Sequence, residues 1–129
     1  MEKTVLIVDD EPDIILSVQE GLEYLNADYK IVCAESGAEC IKLLKNNQIP
    51  DAILLDIMMP EMSGWETYDR IKENQSWKGI PVVFLTARTD RIAVNAGGFL
   101  GEDYIEKPFE IKDLKKRIDI VLKEKPDEN

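Results

Sequence analysis

Histidine is absent from all 129 residues. Without it there is no Ser-His or Cys-His nucleophile pair and no His-ligated zinc. Cysteine is scarce: Cys33 and Cys40 stand at a spacing that matches no zinc or redox motif, so they read as two small apolar residues. Basic residues are outnumbered, 16 against 26 acids, for a net charge of −10. Phosphate backbones and anionic lipid attract clustered Lys and Arg, so no nucleic acid and no membrane surface is expected to bind this chain directly. Long apolar runs are missing as well, and one such as Val5 to Val8 is far too short to cross a bilayer. The acids Asp9-Asp10-Glu11 arrive before a signal-peptide core could form, which leaves a reduced, cytoplasmic compartment as the expectation.

What is present suits one globular domain. Hydrophobic residues make up 44% of the chain and charged residues 33%, enough apolar surface for a core without disulfides or metals. Short apolar runs alternate with helical periodicity. Thr4 to Val8 is apolar on both faces, as a strand buried in a parallel sheet should be. Pro12 opens a helix carrying Ile14, Ile15, Val18, Leu22 and Leu25. Tyr29 to Ala34 reads as a second strand, and Ser36 to Glu39 as a capping box ahead of Cys40, Ile41 and Leu44. Ala52 to Leu55 is a third strand, and Trp65 to Lys72 a helix. A fourth strand runs from Pro81 to Leu85, with the proline where a missing donor is tolerated. A weak helix from Thr89 to Asn95 ends at Gly97-Gly98. Asp103 to Ile105 is a short fifth strand, and Glu110 to Lys123 a final helix with Ile111, Leu114, Ile118 and Val121 on one side. The pattern predicts an α/β fold, a (βα)5 doubly wound parallel sheet of five strands over residues 1–124, with 125–129 a polar tail or the start of a linker.

Such sheets bind ligands outside the carboxyl ends of their strands. Asp9, Asp10 and Glu11 follow the first strand, Asp56 the third, Thr86 the fourth and Lys107 the fifth. Taken singly, each has a plainer reading: a loop acid, a helix cap, a surface charge. Taken together they suit phosphoryl chemistry. Converging carboxylates repel unless a cation sits among them, and oxygen-only ligands select a hard ion such as Mg²⁺. A carboxylate can attack phosphorus, and a lysine and a hydroxyl can meet the transferred group.

These residues lie in blocks that resemble the signature motifs of response-regulator receiver domains. The blocks are Val8-Asp9-Asp10-Glu11-Pro12, Leu55-Asp56-Ile57-Met58-Met59-Pro60, Met62-Ser63-Gly64, Leu85-Thr86-Ala87 and Tyr104-Ile105-Glu106-Lys107-Pro108-Phe109. The resemblance implies the flavodoxin-like strand order 2-1-3-4-5. It implies Asp56 as phosphoacceptor, and Asp9, Asp10, Asp56 and the backbone carbonyl of Met58 as ligands of Mg²⁺ or Mn²⁺. It implies Lys107 as partner of the phosphoryl group, Thr86 as switch hydroxyl, Tyr104 as the aromatic that moves with it, and a cis bond before Pro108. Implied partners are a sensor histidine kinase or a histidine phosphotransfer protein, an output protein, and a second copy in a phosphorylation-dependent dimer. The chain departs from the family pattern in one respect: Thr86 to Lys107 is one residue short, near Leu100 to Asp103.

Rival readings fit less well. An aspartate-nucleophile phosphatase needs Asp-x-Asp after the first strand, but Pro12 occupies the position two beyond Asp10. A flavin carrier needs a Ser/Thr/Gly-rich loop there. A pseudo-receiver scaffold would not need the full acid and lysine set. Met58, Met59 and Met62 read as loop packing or a partner site, Trp65 and Tyr68 as packing anchors. Lys112, Lys115, Lys116, Arg117 and Lys123 form the main basic cluster, a solvated face or a partner contact.

Overall fold

A computed structural model describes residues 2–25, 28–87 and 103–124. Five strands run β1 (Lys3–Val8), β2 (Tyr29–Ala34), β3 (Ala52–Asp56), β4 (Val82–Thr86) and β5 (Asp103–Glu106). Four helices accompany them among the described residues: α1 (Pro12–Tyr24), α2 (Gly37–Lys45), α3 (Gly64–Glu73) and α4 (Ile111–Glu124). All four ladders are parallel, and the order is β2-β1-β3-β4-β5, as the resemblance implied. The expected helix over Thr89 to Asn95 with its Gly97-Gly98 end, and the tail at 125–129, lie outside the described residues.

Side chains on a strand alternate between faces, so an unbroken apolar run must serve two layers at once. Val5 and Ile7 of β1, Ala52 and Leu54 of β3, and Val83 and Leu85 of β4 pack with Ile15, Val18 and Leu22 of α1 and Leu114, Ile118 and Val121 of α4. Leu6, Val8, Ile53, Leu55, Val82 and Phe84 pack on the other face with Cys40, Ile41 and Leu44 of α2 and Tyr68 and Ile71 of α3. Trp77 and Ile80 close that second layer.

Local chemistry sets the helix starts. Ser36 Oγ accepts from the Glu39 N–H at 3.0 Å, and Ser63 Oγ from the Glu66 N–H at 3.2 Å. The expected capping box is shifted by one residue: Glu39 Oε1 accepts from the Glu35 N–H at 2.6 Å, not from that of Ser36. The fourth strand begins at Val82 rather than Pro81, which enters the ladder only through its carbonyl, accepting from Ile53 N at 3.0 Å. Asp56 and Thr86 are themselves the last residues of β3 and β4.

Cys40 is wholly buried in the core, and burial pushes its thiol up to about 12. Cys33 accepts from Gln19 Nε2 at 3.0 Å, and both cysteines are free. Trp65 and Tyr68 are packing anchors: their rings lie 4.9 and 5.2 Å from that of Phe84. Phe84 is therefore the centre of an aromatic trio under α3. Phe84→Ala is expected to cost about 3–5 kcal/mol, measured by urea denaturation, because a cavity opens where the surrounding strands cannot close in.

Candidate functional site

The carboxyl edge of the sheet brings together residues far apart in the chain. Asp9 leaves β1, Asp56 ends β3, and these strands are neighbours. Lys107 leaves β5, and its backbone N–H donates to the Thr86 carbonyl at 2.7 Å, which carries the β4–β5 ladder up to the site. Its ammonium then spans the sheet edge. Lys107 Nζ donates to Asp9 Oδ2 at 3.0 Å and to Asp56 Oδ1 at 3.1 Å, and lies 3.5 Å from Glu11 Oε1. Asp9 is 0% exposed and Asp56 4%. Carboxylate oxygens of Asp9, Asp10 and Asp56 all lie within 4.8 Å of one another, a group that could hold a metal ion.

Electrostatics follow from that crowding. Burial, with the neighbouring charge of Asp9, pushes the Asp56 carboxyl up from an ordinary 3.8 to about 7, against the pull of Lys107. Asp9 is raised too, chiefly by burial, although the Glu11 N–H and Lys107 favour its charged form. Burial works against the Lys107 ammonium, but hydrogen bonds and charge from Asp9 and Asp56 outweigh it and hold its pKa above the ordinary value. One lysine thus faces three acids. The donor set is all oxygen and short of positive charge, which fits a hard divalent cation.

Thr86 is 1% exposed, and its hydroxyl donates to the Ala87 carbonyl at 3.0 Å. Tyr104 pairs in register with Phe84, and Thr86 with Glu106, so Tyr104 and Thr86 lie on adjacent strands two residues apart in register. Tyr104 and Met58 are both exposed, Met58 at 64%. The Lys107-Pro108 bond is cis, as expected.

The family model for the response regulator receiver domain matches residues 5–119. The chain belongs to that family. It is 42% identical over 120 residues to the response regulator SaeR of Staphylococcus aureus, covering 92% of this chain and 50% of SaeR. It is also 42% identical over 123 residues to a Vibrio cholerae protein named as a cyclic di-GMP phosphodiesterase, covering 95% of this chain and 27% of that one. A solved structure described as a response regulator from Chloroflexus aurantiacus superposes with a TM-score of 0.82 at 34% identity, covering 95% of this chain and 99% of the other. The receiver spans half or less of the length of these curated relatives.

Two residues matter to the site in ways their sequence positions did not reveal. Gly64 opens α3, and a β-carbon there would sit 2.2 Å from the Asp56 carbonyl oxygen and 2.7 Å from Ile57 Cα. Its N–H donates to the Ile57 carbonyl at 2.7 Å, so the helix is braced directly on the backbone just past the end of β3. Glu11 was one of three acids after β1, and nothing in its spacing said that it would reach Lys107. Met59, Met62 and part of the basic cluster find contacts elsewhere in the chain. Met59 is buried in the core, and Met62 Sδ packs within 2.8 Å of where a Gly37 β-carbon would stand. Within the basic cluster, Lys115 pairs with Asp119 at 2.8 Å and Arg117 with Asp103, so part of that charge is spent inside the chain.

The raised Asp56 pKa has a stability consequence. The folded receiver keeps a proton on Asp56 that the unfolded chain has lost, between an ordinary 3.8 and about 7. The contribution of Asp56 to folding stability therefore falls as pH rises through that window, by about 4 kcal/mol. Asp56→Asn should remove this slope in chelated protein, so that the variant exceeds wild type in urea denaturation at about pH 8 but not at about pH 4.

Proposed function

We propose that this receiver is a phosphorylation-driven switch in which Asp56 takes a phosphoryl group from a phosphohistidine on a sensor histidine kinase or a histidine phosphotransfer protein. The observation that carries the reading is the placement of Lys107 Nζ at 3.0 Å from Asp9 and 3.1 Å from Asp56. It sets a nucleophile, a second acid and a cation at one spot. In the transfer, an Asp56 carboxylate oxygen attacks phosphorus. The P–N bond to the donor imidazole breaks as an acyl-phosphate P–O bond forms, and the leaving nitrogen keeps the bonding pair. Such a step needs alignment and charge neutralisation more than covalent help from the protein.

Asp56 must be ionised to attack, and burial beside Asp9 opposes that. Asp9, Asp10, Asp56 and the backbone carbonyl of Met58 would hold Mg²⁺ or Mn²⁺. When bound, the ion neutralises charge on the phosphoryl oxygens and favours the carboxylate. Lys107 supplies further positive charge. The Thr86 hydroxyl leaves the Ala87 carbonyl to meet the new anion, and Tyr104 follows it, biasing a surface read by an output protein or by a second copy of the chain. The chain catalyses its own transfer and dephosphorylation and is not a turnover enzyme. Residues 1–124 act as the receiver unit, in the cytoplasm, with 125–129 as tail or linker. The intact acid and lysine set argues against a pseudo-receiver scaffold. Pro12 argues against an aspartate-nucleophile phosphatase.

Acetyl phosphate with Mg²⁺ is expected to add one phosphoryl group to wild type and none to Asp56→Asn, read by intact mass. Equal labelling of the two would remove Asp56 from the role. Lys107→Ala should accept the group yet leave partner affinity unmoved by it. Met58, two residues beyond the acceptor, is an apolar shield against attacking water. Met58→Asn is expected to speed dephosphorylation roughly fivefold, the equivalent of about 1 kcal/mol, in a decay time course; an unchanged lifetime speaks against the shield.

A further inference from the structure

Glu11 sits where a helix cap belongs and does not cap. It precedes α1 with extended backbone, φ −101° and ψ 107°, and its side chain bonds none of the first-turn N–H groups. Ser36 and Ser63 perform that task for α2 and α3. At α1 the side chain instead reaches over to Lys107, with Oε1 3.5 Å from Nζ. The Glu11 N–H meanwhile donates to Asp9 Oδ1 at 2.9 Å. Glu11 is thus tied by its backbone to one partner of Lys107 and by its side chain to Lys107 itself.

An ammonium has three donor hydrogens, and three carboxylates already surround this one. Phosphorylation turns the Asp56 carboxylate into an acyl phosphate and moves its negative charge outward onto the phosphoryl oxygens, so the ammonium is drawn after that charge and its remaining contacts, to Asp9 and Glu11, hold it back. Asp9 is a buried carboxylate, and releasing it would strand a charge away from water. The Glu11 side chain is 62% exposed and regains water as it lets go. We infer that Glu11 is a positioning residue that holds the Lys107 ammonium in its resting place and competes with the phosphoryl group for it. This rests on the reading of Asp56 as the acceptor.

Glu11→Gln keeps the length and the backbone N–H and removes only the charge. The test titrates beryllofluoride, a phosphoryl mimic, into wild type and variant at saturating Mg²⁺, followed by protein NMR. The Lys107 Nζ resonance is recorded separately in metal-free protein. Glu11→Gln is expected to bind beryllofluoride roughly threefold tighter, in keeping with a partly exposed pair, and to shift the metal-free Nζ resonance. Equal or weaker binding overturns the proposal. So does tighter binding with an unmoved Nζ resonance, since the effect would then bypass Lys107. A wild type that takes up no beryllofluoride overturns the acceptor reading itself, and this proposal with it.

Discussion

Two carboxylates that almost never touch water share one lysine, and much of this molecule is arranged around that arrangement. Asp9 and Asp56 repel each other across the edge of the sheet, and burial removes the solvent that would screen them. Lys107 is the counter-charge, drawn from 98 residues beyond Asp9 and 51 beyond Asp56. The balance is incomplete: Asp56 still resists ionisation, while Lys107 holds its proton more firmly than a free lysine. A site left short of positive charge is one that gains from a cation, and that changes most when another anion is added.

The fold is what keeps these charges from drifting apart. β1 and β3 lie side by side at the centre, and hydrogen bonds continue past the strand ends, from Ile57 N to the Leu85 carbonyl at 3.1 Å and from Lys107 N to the Thr86 carbonyl at 2.7 Å. Gly64 lets α3 rest directly on the backbone of Asp56 and Ile57. Below this edge, two apolar layers grip the sheet from opposite sides, because each strand sends alternate residues to each. The rigid parts are the backbone and the core. At the rim stand side chains that meet solvent, among them the carboxylate of Glu11 and the ring of Tyr104.

Much of this was legible in the residues. Runs such as Val5 to Val8 and Ala52 to Leu55 announced strands buried on both faces, since no half-exposed strand tolerates them. Polar residues at the ends of the strands marked the site, because each apolar run gives way there to a group that needs a polar partner. Legibility failed where one residue decides the outcome. Glu39 reaches the N–H of Glu35 rather than that of Ser36, and Asp56 and Thr86 complete their strands rather than follow them. Spacing cannot resolve a shift of one residue when both alternatives satisfy the same periodicity. In the basic cluster on α4 the pairing was not legible: charge type says nothing about partners, and Arg117 and Lys115 meet Asp103 and Asp119.

Composition and pattern alone determined that this chain carries carboxylate, lysine and hydroxyl chemistry with no histidine, on a parallel α/β sheet. Those properties follow from which side chains exist and how often they recur. Only the tertiary structure decided which acids share Lys107, that Glu11 is among them, and how far Asp56 departs from an ordinary carboxylate. All three depend on distances of a few ångströms and on the exclusion of water. None is a property of any residue until strands distant in sequence lie side by side.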